Sequence, residues 1–211
     1  MDLNRNYPYE WVGPGSSSDP SAETYRGPSA GSEPEAQALM AFHAAHDFQT
    51  YQSYHSYSNL TLIPWGFTSV PCPDDTVFRD VAAELTADNG YLAGSAPELL
   101  YVVNGSSVDW AYGETVLKPR AFAFSNEIGD AYDGFWPAEA RLPELVRENL
   151  APARHLIDIA GVTFVVRGPV LVVGGDGNGR LDPGESAALA FTVQQGTVKR
   201  TATGAALTLR T

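Results

Sequence analysis

The 211-residue chain predicts an α/β fold, a sheet with helices on both faces, followed by a short all-β segment. Three observations carry this expectation. Strand-like apolar segments alternate with helical periods as far as about residue 159. A long stretch rich in Pro, Gly, Ser and Tyr precedes them, and every helical period stops near residue 160. The chain therefore reads as one unit over 1–158 and a β-rich module over 159–211. With 44% hydrophobic and 18% charged residues, it can bury a proper core.

Taken in order, residues 7–31 surround Gly13-Pro14-Gly15-Ser16 and read as a long ordered loop, a kind that often lines sites. Ser32-Glu33-Pro34-Glu35 opens a helix, since Ser32 and Glu35 have capping-box spacing, Pro34 falls in the first turn and the acids suit the dipole. Ala38, Leu39, Phe42 and Ala45 supply its apolar face as far as about Asp47. Residues 51–57 alternate as a strand, and 60–63 read as its continuation until Pro64 and Trp65 break it. A helix over about 74–88 has Val77, Val81, Ala82 and Leu85 at helical spacing. Irregular chain near Asn104 leads to a buried strand at 121–128 and then a helix over about 137–159, which Pro143 and Pro152 should restart or kink. In the β module, 162–173, 187–193 and the shorter 205–209 have strand composition, too few strands to close a sandwich.

A formal net charge of −12 argues against nucleic-acid partners, which need clustered Lys and Arg. No apolar stretch approaches the roughly 20 residues of a membrane helix, and Met1-Asp2-Leu3-Asn4-Arg5 has no signal-peptide design. Cys72 is the single cysteine, so no internal disulfide forms. Asn59-Leu60-Thr61 and Asn104-Gly105-Ser106 match the glycosylation tripeptide, a pattern common by chance.

Four side chains stand out chemically. The Arg5 guanidinium offers a planar fork that meets a carboxylate with two charge-assisted hydrogen bonds, and Asn4 beside it adds an amide donor. Alone, such a pair is most often surface charge. His55 sits in an aromatic strand, where a metal ligand and a satisfied core residue look alike. Glu127 ends the apolar run Ala121-Phe122-Ala123-Phe124; a carboxylate there is either a solvated strand end or a buried acid with a purpose.

Five tracts in order, Asp2-Leu3-Asn4-Arg5-Asn6, Tyr25-Arg26-Gly27-Pro28 through Glu35, Tyr54 to Asn59, Val108-Asp109-Trp110-Ala111-Tyr112 and Asn126-Glu127-Ile128-Gly129-Asp130, resemble the zinc metallocarboxypeptidases of the carboxypeptidase A and carboxypeptidase T type. The match covers about 1–157, the C-terminal half or so of that family's catalytic domain, and implies a partial mixed sheet flanked by helices. The resemblance implies that Asn4 and Arg5 grip the free C-terminal carboxylate of a peptide and that His55 is the third zinc ligand. It also implies that Tyr57 contacts the substrate backbone and that Tyr112 is a mobile tyrosine whose neutral phenol donates a hydrogen bond. Glu127 matches the catalytic glutamate, which takes a proton from water whose pKa the metal has lowered to about 7.

Two departures matter. The family usually carries an aromatic just before the glutamate, where Asn126 stands here; this marks a subgroup or loosens the placement of Glu127. No His-x-x-Glu occurs from Met1 to Thr211, although a catalytic zinc needs about three protein ligands. His43-Ala44-Ala45-His46 lies in an ordinary helix and is no substitute. The chain thus reads as a fragment of a secreted metallocarboxypeptidase, inactive alone; the alternatives are a non-catalytic module that binds peptide C-termini, or an interaction piece whose β module does the work.

In the β module, Asp176-Gly177-Asn178-Gly179-Arg180-Leu181-Asp182-Pro183-Gly184-Glu185 places oxygen donors on a Gly-rich turn. Asp176, Asn178, Asp182 and Glu185 resemble the hard ligands of calcium loops, though the spacing is compressed, and a plain polar turn is the competing reading. Similar segments open immunoglobulin-like modules appended to secreted bacterial peptidases.

Overall fold

Strands β1 (Thr50–His55), β2 (Leu60–Ile63), β3 (Leu92–Ser95) and β4 (Phe122–Glu127) form one mixed sheet, in the order β1-β4-β2-β3. β4 runs parallel to β1 and antiparallel to β2, and β2 runs parallel to β3. The computed structural model describes residues 1–161 in full, the backbone of 164–174 and 187–195, and Asn178. The chain divides into two compact units, Met1–Ile157 and Asp158–Thr211.

The sheet is covered on both faces, as the alternation of elements predicts. Helix α2 (Asp75–Leu85) drives the fully buried Phe78 against Phe122 and Phe124, with centroids 4.9 and 5.2 Å apart. Burying one such ring contributes about 1.5–3 kcal/mol. On the other face His43, from helix α1 (Pro34–Ala44), lies 5.2 Å from the Tyr51 ring and 5.6 Å from Trp110, and burial pushes its pKa down to about 4. Helices α3 (Ala96–Leu99) and α4 (Ser107–Gly113) occupy chain expected to be irregular.

Several local expectations are corrected. α1 starts at Pro34 with Glu33 as N-cap and no side-chain cap bond. The Ser32 hydroxyl instead donates to Glu33 Oε1 at 2.7 Å and accepts from Asn6 Nδ2 at 3.0 Å, so a tertiary partner took the group the capping box needs. The buried line of α1 is Ala36 and His43, while Phe42 is 53% exposed, because His43 fills the slot between Tyr51 and Trp110. β2 does not continue β1. The chain reverses at Ser56–Asn59, where Asn59 has φ 54° and the N–H groups of Ser58 and Asn59 both donate to Gly129 O, at 2.7 and 2.9 Å. Pro152 lies inside α5 (Leu142–Ala160) without ending it.

A buried polar chain ties α5 to the sheet. Thr61 Oγ1 donates to Asn126 Oδ1 at 3.1 Å, Asn126 Nδ2 to Asn149 Oδ1 at 2.9 Å, and Asn149 Nδ2 to the Tyr91 hydroxyl at 3.1 Å. The Tyr91 hydroxyl donates to Glu148 at 3.3 Å, which also accepts from Arg141 at 3.0 Å. Asn126 is wholly buried and tethered on both sides.

In the second unit β5 (Phe164–Gly174) and β6 (Ala187–Gln195) form an antiparallel ribbon with a register shift between Arg167 and Leu171. The expected strand at 205–209 and the calcium-type donors Asp176, Asp182 and Glu185 lie outside the described residues; Asn178 is exposed.

Removing Asn149 strands the amide of Asn126 in the core. Asn149→Ala should lower unfolding free energy by about 1–3 kcal/mol in urea titration, and Asn126→Leu combined with Asn149→Leu should cost less than the sum of the single changes. Strict additivity would show that the two amides do not interact.

Candidate functional site

His55 and Glu127 are the last residues of the two parallel strands and stand opposite each other in register. Side chains alternate across a strand, so both leave the sheet on the face opposite Asn126. They open into a cavity of about 440 Å³ that is also lined by Asp2, Asn4, Arg5, Ser56, Tyr57, Tyr101 and Phe135.

Arg5 and Asn4 reach it from a short 3-10 turn, Leu3–Arg5, started by Asp2, whose carboxylate accepts from Asn4 N at 2.9 Å. Arg5 is 5% exposed and firmly held. Its Nε donates to Gly15 O at 2.9 Å and its Nη1 to Asn4 O at 3.0 Å, with Asp2 at 3.4 Å. Nη2 has no partner among the described residues. Asn4 Oδ1 accepts from Ser107 N at 2.9 Å, which leaves its Nδ2 likewise without a partner among the described residues. Two donors, one charged, are thus available in a rigid frame for an anion. The loop over 7–31 supplies the frame through Gly15, which in turn donates to Asn104 Oδ1 at 3.0 Å. Asn104 is 3% exposed and so inaccessible to glycosylation.

The His55 ring contacts Ser53 Oγ through Nε2 at 2.7 Å, and burial lowers its pKa from the usual value. A neutral ring with Nε2–H donating to Ser53 keeps the Nδ1 lone pair free for a cation, the arrangement in which a second partner orients a metal-binding imidazole. That fits one position of a zinc site. Among the described residues no group of three His, Cys, Asp or Glu could hold a metal, and His43 and His46 lie on α1 and just beyond its end, one buried and one bonded to Phe42 O at 2.8 Å.

Burial raises the Glu127 carboxyl to about 7, against the opposing pull of Arg5. It is poised to gain or lose a proton near neutrality, as a general base requires. Tyr57 lies within the reversal after β1 and meets Phe135 edge-on at 5.0 Å.

Tyr112 does not join them. It is fully buried in α4, its hydroxyl donates to Asp74 Oδ2 at 2.7 Å, and its ring packs on Phe78 at 4.9 Å under the Arg120 guanidinium at 4.5 Å. The phenols that line the cavity are Tyr57 and Tyr101, the latter 59% exposed. Helical rotation puts Tyr112 on the core side of α4, whereas Tyr101 precedes the Asn104-Gly105 turn in open chain; that turn was the only sequence cue to it.

The remaining wall mixes apolar side chains, Leu62, Ile63, Ala96, Leu100, Val103 and Val108, with Ser58, Ser106 and Ser125. Asp109 also borders it, 1% exposed. Burial raises its pKa to about 7, and its carboxylate accepts from Gly66 N at 2.9 and 3.1 Å and from Phe67 N at 3.2 Å. Its charge is absorbed by backbone donors and gives the cavity no free anion.

A family model described as zinc carboxypeptidase matches residues 1–152. Carboxypeptidase A5 of Homo sapiens is 38% identical over 152 residues, covering 68% of this chain and 34% of that protein. A metallocarboxypeptidase A-like protein of Trichophyton verrucosum is 37% identical over 155 residues, covering 67% and 36%. Bovine thrombin-activatable fibrinolysis inhibitor, solved with a tick carboxypeptidase inhibitor, superposes with TM-score 0.65 and 29% identity over 74% of this chain and 56% of that one. The carboxypeptidase A of Helicoverpa armigera gives TM-score 0.67 over 75% and 41%, at 23% identity, a likeness of fold. The chain spans about a third of the length of the curated relatives it matches.

The half-buried Glu127 predicts a pH-dependent cost. Its folded pKa, about 7, exceeds the usual 4.5, so folding is penalised above pH 7, and the penalty fades as pH falls to 4.5, where both states are protonated. Glu127→Gln should therefore stabilise the chain at pH 8 by on the order of 1–2 kcal/mol, allowing for partial exposure, and leave pH 4 unchanged. Equal effects at both pH values in thermal denaturation would contradict the burial of this carboxyl.

Proposed function

The chain belongs to the zinc carboxypeptidase family, and on that premise we propose that its protein is a secreted peptidase that releases C-terminal amino acids from peptides. The observation that carries the reading is the shared cavity: Arg5 and Asn4, each with a donor unpartnered among the described residues, line the same 440 Å³ space as His55 and Glu127. Arg5 Nη2 and Asn4 Nδ2 take the terminal carboxylate, and their rigid frame fixes where the last peptide bond falls. The terminal side chain enters the wall formed by Leu62, Val103 and Val108, which suits an apolar residue and leaves a Lys or Arg unpaired. Glu127 takes a proton from the attacking water and returns one to the leaving amine. The Tyr101 phenol offers a hydrogen bond to the bound peptide from the cavity mouth.

His55 is assigned to zinc through Nδ1. When bound, zinc supplies Lewis-acid polarisation and a lower pKa for coordinated water. The reading requires further donors beyond those the described residues bring together, since a working site takes about three protein ligands. No helix among the described residues is long and apolar enough to cross a membrane.

The whole protein should cleave a blocked dipeptide ending in leucine, lose that activity to a chelator and recover it with zinc. It should spare the C-terminal amide and cleave a lysine-ending analogue poorly. Glu127→Gln should lower kcat by about 10²–10⁴ with KM within a few fold, and Tyr101→Phe should act where Tyr112→Phe does not. Peptide binding that survives chelation with no turnover would instead identify a non-catalytic module for peptide C-termini.

A further inference from the structure

Glu127 lies between two tethers that end on one side chain, Tyr91. Upstream, Asn126 Nδ2 donates to Asn149 Oδ1 at 2.9 Å and Asn149 Nδ2 donates to the Tyr91 hydroxyl at 3.1 Å. Downstream, the backbone N–H of Gly129 meets the same hydroxyl: burial raises the Tyr91 pKa, and hydrogen bonds from Asn149 and Gly129 oppose the rise. The phenol thus accepts from both flanks of the glutamate, and its own proton goes to Glu148 Oε2 at 3.3 Å. Two lone pairs and one O–H are all it has. The hub is fixed in turn. Tyr91 is 4% exposed, its N–H donates to Asn89 Oδ1 at 3.0 Å, and Asn89 Nδ2 donates to Glu148 O at 3.3 Å. From Glu148 the contacts run on through Arg141, at 3.0 Å, and Asp133, 3.3 Å from Arg141, to the N–H of Asp130, 3.2 Å from Asp133. They close a ring around the strand end. Of the residues in that ring, Glu127 alone lines the cavity, so the ring can touch chemistry only through where it puts that carboxylate.

We propose that Tyr91 is a positioning residue for Glu127: its hydroxyl ties together the chain on either side of the glutamate and so fixes the direction in which the carboxylate enters the cavity. The inference rests on the reading above, in which Glu127 serves the attacking water as base. A strand end held on one side only can tilt about that point. Held on both sides, through two bonds that share one acceptor, it keeps a single orientation, because neither flank moves without straining the other. Stability alone would not call for this construction, since a polar chain inside a core contributes little more than apolar side chains of the same volume and is costly when any member lacks a partner. Directional restraint is what it adds. A base has to lie within hydrogen-bond reach of the proton it takes, and a misplacement of about 1 Å costs on the order of 10²-fold in rate.

The first measurement needs no turnover. In the 211-residue chain, Tyr91→Phe removes the hydroxyl and keeps the ring, and amide hydrogen exchange at Ile128 and Gly129 should speed up about tenfold or more relative to Phe78 and Ala82 of α2. The second uses the whole protein and a blocked dipeptide ending in leucine. Tyr91→Phe should lower kcat about five- to fiftyfold and leave KM within about twofold, because the carboxylate grip of Arg5 and Asn4 is untouched. Asn149→Ala cuts the upstream tether and should act alike, and the double variant should lose less than the product of the two, as members of one restraint do. Leu85→Val, a change in the buried side of α2 with no part in the ring, should leave kcat and KM as they are. Should Tyr91→Phe fail to fold, Asn149→Ala decides by the same two measurements. Unaltered exchange at Ile128 and Gly129, a loss carried by KM with kcat intact, or an equal fall of kcat in Leu85→Val overturns the positioning role, while loss of kcat in Glu127→Gln still upholds the base. A Glu127→Gln variant that keeps the parent kcat overturns the base and the positioning role with it.

Discussion

The backbone ladder of β4 is the constraint on which the site depends. This strand is hydrogen-bonded on both sides, parallel to β1 and antiparallel to β2, so its register cannot slip without breaking two ladders. Alternation then assigns Phe122, Phe124 and Asn126 to the face covered by α2 and α5, and Ser125 and Glu127 to the cavity face. Asn126 turns this geometric necessity into an anchor. Tied to Thr61 and Asn149, it fixes the height and rotation of the strand one residue before Glu127, through directional bonds that an apolar ring could not make. An amide in place of the family's usual aromatic therefore does not loosen the glutamate, because hydrogen bonds replace packing as the restraint.

The cavity concentrates groups that cost stability. Arg5 is nearly buried with one nitrogen unused, Glu127 is held with a raised pKa, and Asp109 sits wholly inside. Each is made tolerable differently: Arg5 by two carbonyls and Asp2, Asp109 by three backbone contacts from Gly66 and Phe67, and Glu127 by its place at a half-buried strand end. Only the first and last keep chemistry to spare, an unpaired donor and a mobile proton. Such unspent capacity in a closed space separates a site from a merely buried ion pair.

How much of this was legible follows the range of the forces involved. β1, β4 and α2 could be read because alternation and helical spacing are local signals, and Asn4, Arg5, His55, Tyr57 and Glu127 because ordered tracts place them together. α3 and α4 were missed, since seven or fewer residues carry too little period to rise above irregular chain. The capping box at Ser32 failed because Asn6, 26 positions away, competed for the same hydroxyl. The apolar face of α1 was misplaced because a histidine, caged by Tyr51 and Trp110, outcompeted Phe42 for the interior.

The two tyrosines draw the line most clearly. From its residues alone the chain determined an α/β sheet, an acidic composition, and the tracts that bring Asn4, Arg5, His55, Tyr57 and Glu127 to one cavity. Which phenol meets the cavity was decided only by tertiary structure. Tyr101 and Tyr112 are chemically identical and eleven residues apart, and what separates them is the rotation of α4 against Phe78 and Asp74, a long-range packing choice that no local pattern encodes.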